Sequence, residues 1–60
     1  MTIRIDNISV GDVVLFNHNK EVWWGVCRGL EPPTIVIEVN KALWIGINPI
    51  DVVRVLKKGV

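Results

Sequence analysis

Two neighbouring tryptophans lie in the sequence Glu21-Val22-Trp23-Trp24-Gly25-Val26-Cys27. β-Branched and aromatic residues dominate this run, which predicts a β-strand. Successive side chains of a strand point to opposite faces of a sheet, so Trp23 and Trp24 face opposite ways. A chain of 60 residues builds one small core, which has room for one of these indoles. The other indole is expected outside, where an aromatic ring among apolar neighbours indicates a contact surface.

The rest of the chain also predicts short strands, because its apolar residues come in brief runs separated by turn residues. Together with residues 21–30, the predicted strands are residues 13–16, 34–39, 43–47 and 52–56. A further short edge strand is predicted at residues 2–5 within an N-terminal edge segment, residues 1–7. The sequence therefore predicts a single all-β domain over residues 1–60.

Turn residues separate these strands. Residues 17–20, Asn-His-Asn-Lys, predict a turn, and the Pro32-Pro33 pair ends the second strand. Asn40-Lys41 predicts a tight hairpin. Residues 48–51, Asn-Pro-Ile-Asp, predict a single 3₁₀ turn capped by the asparagine. Residues 57–60 are expected to be a frayed tail.

Composition favours an ordered domain with an excess of apolar surface. Half of the residues are hydrophobic and only 22% are charged, which is a high apolar share for so small a fold. The formal net charge of +1 makes nucleic-acid binding possible without indicating it. The single cysteine, the lack of a signal-like start and the lack of a membrane-length apolar run predict a cytoplasmic protein with no membrane association. We expect a homo-oligomer or a protein partner.

Few residues suggest catalysis or ligand chemistry. His18 is the only histidine, and it is expected to be a solvated turn residue because no metal-ligand cluster surrounds it. Cys27 is expected to be an inert core residue. Asp12 and Asp51 are interpreted as turn and cap residues, and no pair of carboxylates suggests acid–base work. The sequence thus predicts no catalytic residue, no metal site and no cofactor.

Three groups of residues occur in the order found in SH3-like barrels. They are Val10-Gly11-Asp12-x-Val14, the second strand with Trp23, Gly25 and Gly29, and Asn48-Pro49-Ile50-Asp51-Val52-x-x-Val55. Over about residues 8–56 the chain resembles this fold family. The resemblance implies a small five-stranded barrel with a 3₁₀ turn before the last strand. It does not imply a function, because such barrels host many functions.

The layout also resembles the small type II dihydrofolate reductases, which are SH3-like barrels that form a tetramer around a pore. The matching residues are Gly11-Asp12, Trp23-x-Gly25 and Pro49-Ile50. The pore of that family depends on a Val-Gln-Ile-Tyr run before the proline, whereas this chain has Ile45-Gly46-Ile47-Asn48. Without the Gln and Tyr we do not expect reductase activity. The resemblance still implies that several copies of this barrel assemble into an oligomer.

The resemblance also assigns the two faces of each strand. In SH3-like barrels the valine that follows Gly-Asp-x points inward, which implies core positions for Val14 and Phe16. The same alternation sends Trp23, Gly25 and Cys27 inward, and Glu38 fixes its neighbours on the third strand as core. The core positions predicted on the third and fourth strands are Ile35, Ile37, Val39, Ile45 and Ile47. The apolar residues left outside, which we call the outer apolar set, are Val13, Leu15, Trp24, Val26, Val36 and Trp44.

Strands that are apolar on both sides are usually buried on both sides. We therefore expect a non-enzymatic interaction module that assembles with itself or docks on a protein through the outer apolar set. The alternative is a nucleic-acid-binding barrel, in which exposed indoles stack on bases and basic side chains contact phosphates. The residues of that alternative are Lys20, Trp24, Arg28, Lys41, Trp44, Arg54, Lys57 and Lys58.

Overall fold

The computed structural model describes residues 7–59 and shows an all-β chain. Its strands are β1 (Val13–His18), β2 (Glu21–Glu31), β3 (Thr34–Val39), β4 (Leu43–Ile47) and β5 (Val52–Lys57). They form one antiparallel sheet in the order β4-β3-β2-β1-β5. Within the described residues no ladder joins β4 to β5, so the sheet is open. The all-β class and five of the predicted strands are confirmed, and the strand predicted at residues 2–5 lies outside the described residues.

The hairpin between β1 and β2 is tighter than the sequence predicts. Asn19 and Lys20 have φ angles of 51° and 66°, as the two central residues of a type I′ turn require. The prediction of a turn over residues 17–20 was wrong in its first half, because Asn17 and His18 belong to β1. They pair with Val22 and Glu21 of β2, and this ladder leaves only two residues for the turn.

Strand β2 is the central element, and its two halves pair with different neighbouring strands. Its residues 21–26 pair with β1, and its residues 26–31 pair with β3. The register with β3 shifts between Cys27 and Gly29, which leaves Arg28 as an extra residue. Such a bulge bends a strand and increases its twist. In the part of the chain that the structure describes, the first half of β2 therefore has a strand neighbour on one side only.

The second half of the fold follows the predicted turn chemistry. Asn40 and Lys41 have φ angles of 58° and 64° in the turn between β3 and β4. A 3₁₀ helix covers Pro49–Asp51 before β5, and the Oδ1 atom of Asn48 accepts a hydrogen bond from the Ile50 N–H at 3.1 Å. Asparagine as the cap and proline in the first turn are both favoured at a helix start. The predicted hairpin and 3₁₀ turn are confirmed.

One face of the sheet forms the core, and it is the face that the alternation of residues predicts. Among the predicted core positions, the fully buried side chains are Val14, Phe16, Cys27, Ile35 and Ile37. Trp23 and Ile45 are partly buried against them. Ile8 and Val52 are also buried, although the sequence did not single them out as core. Full burial of one large aliphatic or aromatic side chain contributes about 1.5–3 kcal/mol, so this face holds the fold together.

Asp12 anchors both ends of the described chain. It is fully buried, and its carboxylate accepts hydrogen bonds from Ser9 N and Gly59 N, both at 2.8 Å, and from Lys58 Nζ at 2.5 Å. Gly59 also packs against the backbone of Gly11. The predicted frayed tail is therefore wrong for residues 57–59. Residue 57 belongs to β5, and the buried carboxylate holds the next two residues.

Burial by itself raises the pKa of Asp12, because it removes water from the charged carboxylate. Hydrogen bonds from Lys58, Ser9 and Gly59, together with the charge of Lys58, outweigh that effect. The pKa of Asp12 consequently lies below its ordinary value, and the carboxylate stays ionised in the folded chain.

No helix among residues 7–59 is long and apolar enough to cross a membrane.

Candidate interaction surface

The strand register brings the outer apolar set together on the face opposite the core. Leu15 of β1 lies across from Trp24 of β2, and Val13 lies across from Val26. Val36 of β3 lies between Ile35 and Ile37, which are both fully buried, so its side chain points to the outer face. Trp44 of β4 is paired with Glu38, which in turn is paired with Val26. All six residues therefore share one surface across four strands, which we call the outer face.

The two indoles are the most accessible part of this surface. Trp24 is 62% exposed and Trp44 is 58% exposed, while the aliphatic members of the set are half-buried. Val22 is also 62% exposed and lies two residues before Trp24 on the same face. The outer apolar set predicted from the sequence does not include Val22, although its spacing of two residues from Trp24 indicates the same face. Exposed aromatic rings beside partly exposed aliphatic groups form an apolar patch, which is typical of contact surfaces.

An ion pair lies within the outer face. Arg28 Nε donates to Glu38 Oε1 at 2.7 Å, and the two side chains are 44% and 15% exposed. Arg28 is the extra residue of the β2 bulge, so the bulge places its guanidinium beside β3. An exposed pair of this kind contributes about 0–1 kcal/mol to stability. The pair matters more for the charge of the surface, because Glu38 compensates the positive charge of Arg28.

The basic residues of the nucleic-acid alternative do not form one patch. Lys20 and Lys41 lie in the two hairpin turns, whereas Arg54 and Lys57 pair with β1 at the other side of the sheet. Arg28 is bound to Glu38, and Lys58 is bound to Asp12. These basic residues thus lie in two hairpin turns, on β5, in the β2 bulge and beside Asp12, and Arg28 and Lys58 already have an acidic partner. Binding of a nucleic acid depends on several Lys and Arg side chains arranged along its phosphate backbone.

A cleft opens where β2 and β3 separate. It has a volume of about 600 Å³. Its lining contains Glu21, Val22, Trp23, Trp24, Gly25, Val26, Arg28, Glu38, Val39, Asn40 and Lys41. The sequence does not predict this cleft. The cleft exists because β3 pairs with β2 only from Val26 onward, and no local pattern indicates that limit.

On the inner face, His18 belongs to an aromatic cluster. Its ring meets Trp23 edge to face, with centroids 5.8 Å apart, and Phe16 at 6.5 Å. The prediction of a solvated turn residue was wrong, because β1 extends through His18 and places it half-buried beside Trp23. The indole Nε1 of Trp23 is buried and has no hydrogen-bond partner among the described residues. Trp23 is nevertheless the inward-facing tryptophan that the sequence predicted.

Cys27 lies in the core as predicted. Its side chain is fully buried, and Sγ donates to the Gly29 carbonyl oxygen at 3.5 Å. Burial raises the pKa of the Cys27 thiol, and the nearby charge of Asp12 acts in the same direction. A thiol with a raised pKa carries little of the reactive thiolate. Within residues 7–59, no group of three His, Cys, Asp or Glu side chains is placed to hold a metal ion.

Comparisons of this chain with protein-family models, with curated proteins and with solved structures found no match.

Proposed function

We propose that this chain is an SH3-like barrel that acts as a non-enzymatic interaction module and covers its outer face with a second copy of itself. The observation that carries the proposal is the exposure of Trp24 and Trp44 on one sheet face, 62% and 58%. The register surrounds them with four half-buried aliphatic residues. An apolar sheet face of this kind is stabilised by packing on another sheet.

A second copy is the occupant that requires no further molecule. In a two-fold symmetric dimer each copy uses the same patch, so one contact covers both outer faces. Near the middle of the patch, Arg28 and Glu38 compensate each other, whereas the cations Arg54 and Lys57 lie across from Leu15 and Val13 at its β5 edge. The middle of the patch therefore carries no excess charge that would repel a second copy. Docking on a different protein would use the same residues and is separated from self-association by the solution mass.

The experiment compares the solution mass of the wild type with that of Trp24→Ala and Trp44→Ala by sedimentation equilibrium. We expect the wild type to exceed the monomer mass at both low and high salt, because apolar contacts are not screened by ions. Each substitution should shift the mass towards the monomer. The matched control is Ile50→Ala, since Ile50 is 71% exposed but lies in the 3₁₀ helix outside the sheet. A wild-type monomer, or an equal effect of the control, would overturn self-association.

The nucleic-acid alternative makes a different prediction under salt. Binding through lysine and arginine weakens steeply as salt rises, because counterions are released from the phosphates. A fluorescent single-stranded oligonucleotide titrated at two salt concentrations distinguishes the two functions. We expect no salt-sensitive complex. Tight binding at low salt that weakens in Lys20→Ala and Lys41→Ala would favour the nucleic-acid function over the one proposed.

A further inference from the structure

The first half of β2 has an open backbone edge. On the β1 side, Cys27 N donates to Asp12 O at 2.8 Å. Backbone groups of an antiparallel strand point alternately to the two sides. The N–H and C=O groups of Val22, Trp24 and Val26 are therefore directed away from β1. Val26 meets Glu38 of β3, but among the described residues no strand pairs with Val22 or Trp24 on that side.

The cleft of about 600 Å³ lies at this open edge. Residues 21–26 of β2 form one wall, and residues 38–41 at the end of β3 contribute the opposite wall. Sites that bind small molecules and cofactors commonly have about 300–1,000 Å³, so this cleft has room for an occupant. An open strand edge and a cleft are two separate observations, and they coincide at Val22 and Trp24.

The lining of the cleft combines apolar side chains with charges that balance each other. Trp24 and Val22 are each 62% exposed beside it. Its charged residues are two acids, Glu21 and Glu38, and two bases, Arg28 and Lys41. Arg28 and Glu38 form an ion pair with each other. The lining of the cleft therefore has no net charge that would attract a strongly charged ligand.

We propose that this cleft binds an extended, uncharged peptide segment of another protein, which adds as a strand to the open edge of β2. The backbone groups of Val22 and Trp24, which no strand among residues 7–59 pairs on this side, are two residues apart, about 6.6–6.8 Å along the strand. An extended chain presents its own donors and acceptors at the same repeat, whereas a compact small molecule does not. The inference goes beyond the proposed self-association, because it uses the backbone edge of β2, although Val22 and Trp24 contribute side chains both to the cleft and to the outer face.

A single peptide segment fits this edge better than a second folded copy. The cleft is bounded by β2 on one side and by the end of β3 on the other. Within the described residues every strand of a second copy, including the edge strands β4 and β5, is paired with at least one neighbour, so it would bring a whole sheet against a gap between two strands. An isolated extended segment brings no such neighbours. Its side chains would alternate between Trp24 on the outer side and Trp23 on the inner side.

The test begins with a random seven-residue peptide library displayed on phage and selected on the immobilised full chain. We expect enrichment of uncharged sequences with β-branched or aromatic residues at alternate positions. One enriched peptide is then synthesised with both ends capped and added to the ¹⁵N-labelled chain. Hydrogen exchange at the Val22 and Trp24 amides should slow by about tenfold or more on saturation.

Backbone methylation of that peptide provides the matched control without changing the protein. N-methylation of the peptide amides that face β2, which occur at every second position, should weaken binding about tenfold for each lost backbone hydrogen bond. Methylation at the intervening positions should have little effect, because their amides point away from β2. The variant Val22→Pro removes an amide directed at the cleft and should weaken binding by a similar factor. The absence of any enriched peptide, or equal effects of methylation at all positions, would overturn the inference.

One further variant keeps this inference distinct from the proposed function. Trp44 lies on the outer face but not in the cleft lining. Because Trp24 belongs to both the cleft and the outer face, peptide affinity is measured at a protein concentration where the chain is monomeric. Trp44→Ala should reduce self-association and leave that affinity within about twofold of the wild type, since Trp44 does not line the cleft. A peptide whose binding depends on Trp44 but protects neither Val22 nor Trp24 from exchange would place it on the outer face and overturn strand addition.

Discussion

The two faces of the sheet are built from similar residues but have different surroundings. On β3 the side chains alternate Ile35, Val36, Ile37, and the two isoleucines are fully buried while Val36 is half-buried. On β2 the neighbours Trp23 and Trp24 divide in the same way, with Trp23 against the core and Trp24 62% exposed. Residue type alone therefore does not distinguish the faces. The inner face forms the core, whereas the outer face leaves Trp24 and Trp44 exposed; we propose that the outer face is apolar because a second copy packs on it.

The largest expected effect is a difference between two neighbours on β3. Ile37→Ala should lower the free energy of unfolding by about 2–5 kcal/mol, because it leaves a cavity in the core. Val36→Ala, one residue away on the outer face, should cost about 1 kcal/mol or less in the monomer. Urea denaturation at low protein concentration measures both variants. Equal losses would mean that the two faces do not differ in the way described.

The buried anchor at Asp12 should also be sensitive to substitution. Asp12→Asn removes the charge that holds Lys58, and we expect a loss of about 2–3 kcal/mol at neutral pH because hydrogen bonds to a charged group are lost. The pKa of Asp12 is lowered below its ordinary value of 3.8. The stabilisation is therefore complete above that value and is lost as pH falls through the lower folded-state pKa.

Urea denaturation at several pH values tests this linkage. The difference in stability between wild type and Asp12→Asn should be constant above about pH 5 and should shrink as the medium becomes more acidic. A difference that grows on acidification would contradict a lowered pKa. The variant Asp51→Asn is a matched control, because Asp51 is half-buried in the 3₁₀ helix, outside this anchor.

Two glycines on β2 offer a smaller and well-controlled comparison. A Cβ at Gly25 would collide with Ile37 and would lie 2.7 Å from the Glu38 carbonyl oxygen. Gly25→Ala should therefore cost about 1–3 kcal/mol through overpacking. A Cβ at Gly29 would lie no closer than 3.7 Å to its nearest neighbour, Val36. Gly29→Ala should be close to neutral by thermal denaturation, and a larger loss at Gly29 than at Gly25 would contradict the close packing of β3 on β2.

The smallest effect is expected for the ion pair on the outer face. Arg28→Gln removes the partner of Glu38 and should change stability by less than about 1 kcal/mol, because the pair is exposed to solvent. Lys58→Gln, which removes the partner of a fully buried carboxylate, should cost more. Denaturation of both variants in parallel compares them. A larger effect at Arg28 would mean that the outer face contributes to the fold as strongly as the anchor does.

Local signals in the sequence predicted most of the fold. Alternating apolar residues located the strands, and Asn48 with Pro49 located the 3₁₀ helix. Local patterns did not reveal contacts between distant residues. The partnership of Asp12 with Lys58 and Gly59 spans more than 40 residues of sequence, and no local pattern indicates it. His18 was misplaced because Asn17 and His18 have turn composition, whereas pairing with β2 keeps them extended.

The candidate site was predictable to a similar degree. The six residues of the outer apolar set were assigned from alternation along each strand together with the resemblance to SH3-like barrels, and the register places them on one face. The cleft could not be predicted, because it depends on the point at which β3 stops pairing with β2. The bulge at Arg28 was also not evident, although Gly29 beside it suggested that β2 bends.

The most direct test of the account asks what covers the two exposed indoles. A sample that mixes isotope-labelled and unlabelled chain allows isotope-filtered nuclear Overhauser measurements that detect contacts between copies only. We expect contacts from the indole protons of Trp24 and Trp44 to methyl groups of Val13, Val26 or Val36 in the other copy. Contacts between copies that involve only Ile50 would contradict the claim that a second copy covers the outer face. The claim would also be contradicted if no contacts between copies were detected and the two indoles stayed exposed to solvent.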